Sequence, residues 1–266
     1  MTSSAAQSRG ELTSFARELA ATARRETLRR ARGNLNVDDK RTHGLFDPVT
    51  DADRSAEAAM RELIADRYPD HGIAGEEFPN KASNGPYIWS LDPIDGTRSY
   101  MCGLPTWTTL IALLENDAPL LGLIDAPRLD ETFLGSGDEA HLICKGEQSP
   151  LSASGCTRLA AARFSTTDPF LFGPTAAALQ PLLAAVRVTR FGHDAYAYAR
   201  LAAGDLDLIV ECGLKPHDYN ALIPVVRGAG GYFGDWQGAS DFGRGNVVAA
   251  ASRELYDAAV ELLAGA

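Results

Sequence analysis

Two aspartates three residues apart close a hydrophobic run in Trp89-Ser-Leu-Asp-Pro-Ile-Asp-Gly-Thr97, the most chemically pointed segment of the chain. A strand that delivers Asp92 and Asp95 into a tight turn around Pro93 aims both carboxylates the same way. Only a cation makes that arrangement inexpensive. Gly96 lets backbone approach a ligand closely, and a helix starting at Thr97 would turn its first N–H groups toward the same point, where they can hold a phosphate. Carboxylates for a hard cation beside amides for an anion are what metal-assisted phosphoryl chemistry requires. Taken alone, Asp-x-x-Asp-Gly is more often an ordinary polar turn. Three further acidic sites strengthen the chemical reading: Glu76 and Glu77 after Gly75, the trio Asp47, Asp51 and Asp53, and Asp218 behind Pro216-His217. His217 is open to two readings, a zinc ligand or an imidazole that supports the site or faces substrate.

These residues need elements to position them. Leu12, Phe15, Ala16, Leu19 and Ala23 recur at helical spacing, which predicts an amphipathic helix from Glu11 to about Ala31. Its Arg24, Arg25, Arg29 and Arg30 read as a solvated face. Ala56, Ala59, Met60, Leu63 and Ile64 predict a second helix over about 52–67, capped by Thr50 or Asp51 and stopped by Pro69. A short strand, His71–Ala74, leads to Glu76. Strand-like runs follow at Tyr87–Leu91, Thr108–Glu115, Leu120–Ile124, Glu131–Leu134 and Ala140–Cys144, with Asn116-Asp117 as a turn, and together they predict an antiparallel sheet. The second half alternates: strands at 161–165, 188–191, 207–211 and 246–250, and helices at 175–186, 194–203, 219–228 and 253–263. That pattern implies a layered α/β arrangement. Pro224 falls inside the predicted 219–228 helix. A Gly/Ser/Pro-rich stretch over 145–158 marks the junction of the halves.

The chain has 266 residues, 45% hydrophobic and 23% charged, enough for a full core without staples. Thirty-five acids against 25 bases leave a formal charge of −10. This disfavours a nucleic-acid groove or an anionic membrane as partner, and it leaves metal ions to attract an anionic substrate. Cys102, Cys144, Cys156 and Cys212 form no CxxC pair and read as reduced thiols of a cytoplasmic protein. No apolar run is long enough to span a bilayer. The first ten residues, small and polar, read as a disordered tail.

The segments Asp47-Pro-Val-Thr-Asp-Ala-Asp53, Gly75-Glu-Glu77, Asp92-Pro-Ile-Asp-Gly-Thr97 and Pro216-His-Asp218…Gly228-Ala-Gly-Gly231 resemble, in order and spacing, the four motifs of the inositol monophosphatase superfamily. The resemblance covers the chain from about Glu11 to its end. It implies an α/β (α+β) fold, the layered αβαβα sandwich of the inositol monophosphatase and fructose-1,6-bisphosphatase type. It also implies a magnesium-dependent, lithium-sensitive phosphomonoesterase, commonly a homodimer. Residues 11–150 would form an N-terminal α+β half with most metal ligands. Residues 151–266 would form a C-terminal α/β half with the distal metal aspartate and the substrate-facing residues, in one catalytic unit. Carried over by position, Glu76, Asp92 and the Ile94 carbonyl would bind a first Mg²⁺. Asp92, Asp95 and Asp218 would bind a second, with a weaker third held by Glu76 through water. Thr97, oriented by Asp53, would position and help deprotonate the attacking water, and Gly96 and Thr97 would bind phosphate through their N–H groups. The chain departs from the family pattern at His217, at Arg227 where an acid is usual, and upstream, where Lys40 or Arg41 stands in for a customary lysine.

Within the superfamily, Thr97-Arg-Ser-Tyr100, Gly103–Leu113, Ser165-Thr-Thr-Asp-Pro169, Gly192-His-Asp-Ala-Tyr-Ala-Tyr198 and Leu214–Tyr219 are similar to the histidinol-phosphatase branch. Histidinol phosphate carries an ammonium and an imidazole beside its phosphate. Asp194 and Glu211 offer negative charge for those nitrogens, although Asp194 could instead cap its helix and Glu211 could bind a polyol hydroxyl. The resemblance thus implies hydrolysis of histidinol phosphate in histidine biosynthesis. The alternatives are an inositol-1-monophosphatase or broad sugar phosphatase on the same scaffold, and an inactive, ligand-binding relative.

Overall fold

The computed structural model describes residues 8–31, 33, 36–40 and 48–264. Asp47, Arg41 and most of the expected tail lie outside them. Helix α1 (Arg9–Arg30) buries Leu12, Phe15, Ala16, Leu19 and Ala23 on one stripe. It starts two residues earlier than expected, inside the stretch read as a tail, because Ser8 and Glu11 cap each other reciprocally. A small antiparallel pair, β1 (Val37–Asp39) and β2 (Pro48–Thr50), precedes α2 (Asp51–Arg67). Thr50 caps α2, and Asp53 closes the box by accepting from the Thr50 N–H.

The chain then builds a seven-stranded sheet in sequence order: β3 (Gly72–Gly75), β4 (Tyr87–Asp95), β5 (Thr108–Glu115), β6 (Ala118–Ala126), β7 (Glu131–Ser136), β8 (Glu139–Cys144) and β9 (Glu147–Pro150), with the short helix α3 (Thr97–Met101) after β4. Only β3 and β4 run parallel; the others pair antiparallel as the sequence implied. Asn116 and Asp117 both take left-handed φ, 51° and 64°, as a tight two-residue hairpin demands.

The second half forms a five-stranded sheet in the order β11-β10-β12-β14-β13. Its elements are β10 (Arg163–Thr166), α4 (Leu179–Ala185), β11 (Val188–Phe191), α5 (Tyr196–Ala202), β12 (Leu208–Glu211), α6 (Pro216–Tyr219), α7 (Leu222–Gly228), β13 (Tyr232–Asp235), β14 (Val247–Ala250) and α8 (Arg253–Ala264). Three predicted helices change. The 175–186 helix is a 3₁₀ run over Pro169–Ala178, kinked at Gly173, that leads into α4. Helix α5 begins at Tyr196, because Asp194 takes a left-handed φ of 47°. The 219–228 helix breaks into α6 and α7 around residues 220–221, and Pro224 sits in the first turn of α7, where its missing N–H costs nothing.

The result is a layered αβαβα sandwich, as the resemblance implied. Helices α1 and α2 pack on the outer face of the large sheet through Phe15, Leu19, Met60, Trp89 and Leu113. Helices α5 and α7 lie between the sheets among Leu110, Ile124, Phe133, Ile209 and Phe233. Helices α4 and α8 cover the far face through Phe164, Leu182, Val248 and Leu255. A row of small residues, Ala112, Gly122, Gly135 and Ala140, runs across β5 to β8. The chain of α7 lies directly on it: a Cβ on Gly122 would meet the Ala221 carbonyl oxygen at 2.1 Å, and one on Gly135 the Pro224 carbonyl oxygen at 2.2 Å. Backbone, not side chain, meets both glycines, so neither contact can yield by a rotamer change. Gly135→Ala is therefore expected to cost about 1–3 kcal/mol of stability, read as a lowered denaturant midpoint. An unchanged midpoint would show that α7 does not rest on that strand.

Candidate active site

The site grows from the end of β4. The sequence suggested a turn after Leu91, but β4 continues to Asp95 and its pairing with β5 slips between Asp92 and Asp95. Pro93, which cannot donate to the ladder, occupies that bulge, and its carbonyl accepts the Thr109 hydroxyl at 2.7 Å. The bulge turns both aspartates to one side. Asp92 is 2% exposed, and its Oδ1 accepts the Ile94 N–H at 3.0 Å. Asp95 Oδ2 accepts the Ala195 N–H at 2.6 Å, which brings the start of α5 against β4.

Asp218 arrives from α6. Asn220, two residues on, donates its amide to the Ser90 hydroxyl at 3.2 Å, a buried tie between α6 and the strand that carries Asp92. Asp218 Oδ2 accepts the Lys215 N–H at 2.6 Å. Carboxylate oxygens of Asp92, Asp95 and Asp218 consequently lie within 4.8 Å of one another. Among the described residues no lysine or arginine pairs with Asp92 or Asp95. Burial first, and then the neighbouring acids Glu76, Asp95 and Asp194, push both carboxyls well above the usual range. Burial raises Asp218 as well, opposed by His217. Three convergent oxygen donors, two of them without a paired lysine or arginine among the described residues, suit a hard divalent ion such as Mg²⁺. His217 is not part of this group; its Nε2 stands 3.4 Å from Asp218 Oδ1, beside the acid. The geometry gives no support to the zinc reading.

Glu76 follows β3, and Lys40 Nζ, 3.0 Å from its Oε1, also bonds the buried Glu77. Of the two upstream bases considered, Lys40 reaches this acid, and Arg41 lies outside the described residues. Burial lifts Glu77 to about 7. Asp53 is 1% exposed, and burial lifts it to about 6. Here the structure departs from expectation. The Thr97 hydroxyl donates to the Ile94 carbonyl at 3.1 Å, and among the described residues it makes no hydrogen bond to Asp53, whose Oδ2 is taken by the Thr50 N–H and hydroxyl. Helix α3 does start at Thr97, with Gly96 before it at φ 81°, and its first-turn N–H groups have no helical acceptor. A Cβ on Gly96 would lie 2.7 Å from Asp194 Oδ2, so the glycine is required for close approach as well as for its φ.

Asp194 does not cap α5; Ala195 holds that position without a side-chain bond. Its Oδ2 instead accepts the Ser99 hydroxyl at 3.0 Å, and burial raises its carboxyl. Glu211, 4% exposed at the end of β12, accepts from the Thr167 N–H at 2.6 Å and the Thr166 hydroxyl at 3.2 Å. Arg227, where an acid was expected, donates to the Phe233 carbonyl at 3.1 Å and fastens the glycine turn to β13. Sequence reasoning missed Glu57, which is fully buried and bonds the backbone beside Glu76. The available signal was a glutamate directly behind Ala56 in the apolar stripe of α2.

Fold and site together define a class, a five-layered α/β scaffold with an acid cluster at a strand end beside a helix start. The chain belongs to the inositol monophosphatase family, whose family model matches residues 8–265. It is 42% identical over 231 residues to the Arabidopsis thaliana "Bifunctional phosphatase IMPL2, chloroplastic", covering 81% of this chain but only 65% of that protein, just under two thirds of its length. It is 33% identical over 208 residues to a histidinol-phosphatase of Chlorobaculum parvum, covering 78% of this chain and 80% of the relative. Among solved structures it is similar to an inositol monophosphatase from Zymomonas mobilis, with a TM-score of 0.84, 35% identity, and coverage of 97% and 99% of the two chains. Among the described residues no helix is long and apolar enough to cross a membrane.

The buried acids have a consequence for the metal-free protein. Burial pushes Glu211 up to about 7 from its ordinary 4.5, so between those values the unfolded chain has released a proton that the folded chain still holds. Stability then falls as pH rises through that window. Glu211→Gln removes this contribution. In EDTA, wild type should lose about 3 kcal/mol more than the variant between pH 4.5 and 8, as measured by denaturant unfolding. Parallel pH profiles would contradict the assignment.

Proposed function

We propose that the protein hydrolyses histidinol phosphate to histidinol and phosphate, a step of histidine biosynthesis. The observation that carries this reading is the pair Asp194 and Glu211. Glu211 is buried and Asp194 half-buried; both lie outside the Asp92–Asp95–Asp218 cluster, and desolvation raises each carboxyl. Glu211 is pushed further up by the negative charge of Asp194, so the two are electrostatic neighbours. Two acids in addition to the three of that cluster suit a substrate that carries an ammonium and an imidazole better than a neutral polyol. The similarity to proteins named as histidinol-phosphatases supports the same choice.

In this reading Glu76, Asp92 and the Ile94 carbonyl would hold one Mg²⁺; Asp92, Asp95 and Asp218 would hold a second; and Glu76 would contribute to a weaker third. Bound Mg²⁺ supplies positive charge that eases deprotonation of water and offsets charge building on the phosphoryl oxygens. The protein's own groups do the rest. The Gly96 and Thr97 N–H groups at the start of α3 bind phosphate oxygens. Because the Thr97 hydroxyl donates to Ile94, its lone pairs remain free to orient the attacking water. A threonine hydroxyl cannot itself serve as base at neutral pH, and Asp53, lifted to about 6, is suited to accept the proton. Both bonds from Thr50 fall on Asp53 Oδ2, which leaves Oδ1 for that role. Asp194 and Glu211 bind the nitrogens of the alcohol portion. A second reading, hydrolysis of inositol 1-phosphate, is favoured by the similarity to the Zymomonas mobilis inositol monophosphatase. The protein is further proposed to work as a homodimer in the cytoplasm.

Phosphate release with Mg²⁺ from histidinol phosphate, inositol 1-phosphate, fructose 1,6-bisphosphate and phosphoadenosine phosphate tests the choice. Histidinol phosphate should give the highest kcat/KM. Asp194→Ala should lower kcat/KM for histidinol phosphate about 10- to 100-fold, the value of a charge-assisted hydrogen bond, and change inositol 1-phosphate turnover far less. Equal losses would count against the role of Asp194, and wild type inactive on every ester would favour a ligand-binding relative.

A further inference from the structure

Glu57 and Arg61 lie one turn apart on α2, on the side that faces the chain leaving β3. Glu57 is fully buried, and both its oxygens are occupied. Oε2 accepts the Glu77 N–H at 2.8 Å; Oε1 accepts Arg61 Nε at 2.7 Å and the Phe78 N–H at 3.3 Å. Arg61 then donates its two terminal nitrogens to the Phe78 and Pro79 carbonyls, each at 3.1 Å, and its guanidinium lies over the Phe78 ring. One ion pair thus grips both donors and acceptors of residues 77–79. The approach is so close that a Cβ on Gly75 would lie 2.0 Å from Glu57 Oε1. Gly75 and Glu77 flank Glu76, so the backbone on both sides of Glu76 is set by this pair.

A fully buried carboxylate is a costly way to hold a loop. Helix α2 could pack its stripe without it, as Ala56, Met60 and Ile64 do. What the charge adds is direction: an acceptor with two oxygens and a planar donor fork leave the loop one orientation. We infer that Glu57 and Arg61 are positioning residues that aim the Glu76 carboxylate into the Asp92–Asp95–Asp218 cluster and thereby set the protein's affinity for its divalent ion. The inference rests on the reading in which Glu76 binds that ion.

The test is Mn²⁺ binding to the metal-stripped full chain without substrate, with free Mn²⁺ counted by electron paramagnetic resonance. Glu57→Gln keeps the shape but sets an amide donor against N–H groups. It should weaken Mn²⁺ binding about 10- to 100-fold, as loss of a partner behind a ligand does. Glu76→Gln should weaken binding at least as much, and Glu57→Gln combined with Glu76→Gln should bind no worse than Glu76→Gln alone, because Glu57 acts through Glu76. Unaltered affinity in Glu57→Gln, or additive losses in the double variant, would overturn the inference while leaving Glu76 as a ligand. Wild-type affinity in Glu76→Gln would instead overturn the assignment of Glu76, and the inference with it. Should Glu57→Gln fail to fold, Arg61→Lys decides. It keeps the charge but cannot span the Phe78 and Pro79 carbonyls, and weakened binding supports the inference whereas wild-type binding overturns it.

Discussion

Like charges brought together away from water repel, and the centre of this molecule is organised around that repulsion. Carboxylates of Asp92, Asp95 and Asp218 converge within 4.8 Å, with no protein cation paired to Asp92 or Asp95 among the described residues. Two unit charges at that separation repel by about 3 kcal/mol at an effective dielectric near 20. Such an arrangement persists only if the surrounding structure holds it, and the ties are identifiable: the bulge at Pro93, the Ala195 N–H on Asp95, and the buried bond from Asn220 to Ser90. Each links an acid-bearing segment to another element, so none of the three acids is free to swing away.

The sandwich explains why these segments meet. The large sheet ends β4 at the cluster. The smaller sheet ends β12 at Glu211 and sends α6, with Asp218, back across the gap. Helices α5 and α7 fill the layer between, and the glycine row of β6 and β7 lets α7 lie against bare backbone. Asp194 stands where the sheets come together, touching Ser99 from one half while it sits on the β11–α5 connection of the other. In the proposed reading, a site divided this way would give the first half most of the phosphate end and the second half the groups that read the alcohol.

Much of this was legible in the sequence. Asp92 and Asp95 declared themselves because their spacing and the flanking Pro and Gly are local signals, and the helices α1 and α2 followed from periodicity. The pairing Asn116-Asp117 showed its turn because those residues tolerate left-handed backbone. The bulge in β4 was not legible, since a slip of register depends on the partner strand. Strand β13 was hidden by the glycines around Tyr232 and Phe233, which interrupt any strand pattern, and β9 by its polar, exposed residues. The break between α6 and α7 depends on Asn220 reaching a serine 130 positions away. Thr97 was expected to turn toward Asp53, but the Ile94 carbonyl, three residues back, is the nearer acceptor for its hydroxyl. Glu57 was overlooked because a glutamate four residues before an arginine is the ordinary pattern of a solvated helix face. Only the fold shows that this one is buried.

The account's central claim is that the cluster exists to hold a divalent ion. Its most direct test is a crystal grown with Mn²⁺ and measured for anomalous scattering. The account predicts a strong anomalous peak bounded by the oxygens of Asp92, Asp95 and Asp218, with Glu76 at its edge. A map with no peak at that point, at a Mn²⁺ concentration that supports phosphate release, would contradict it.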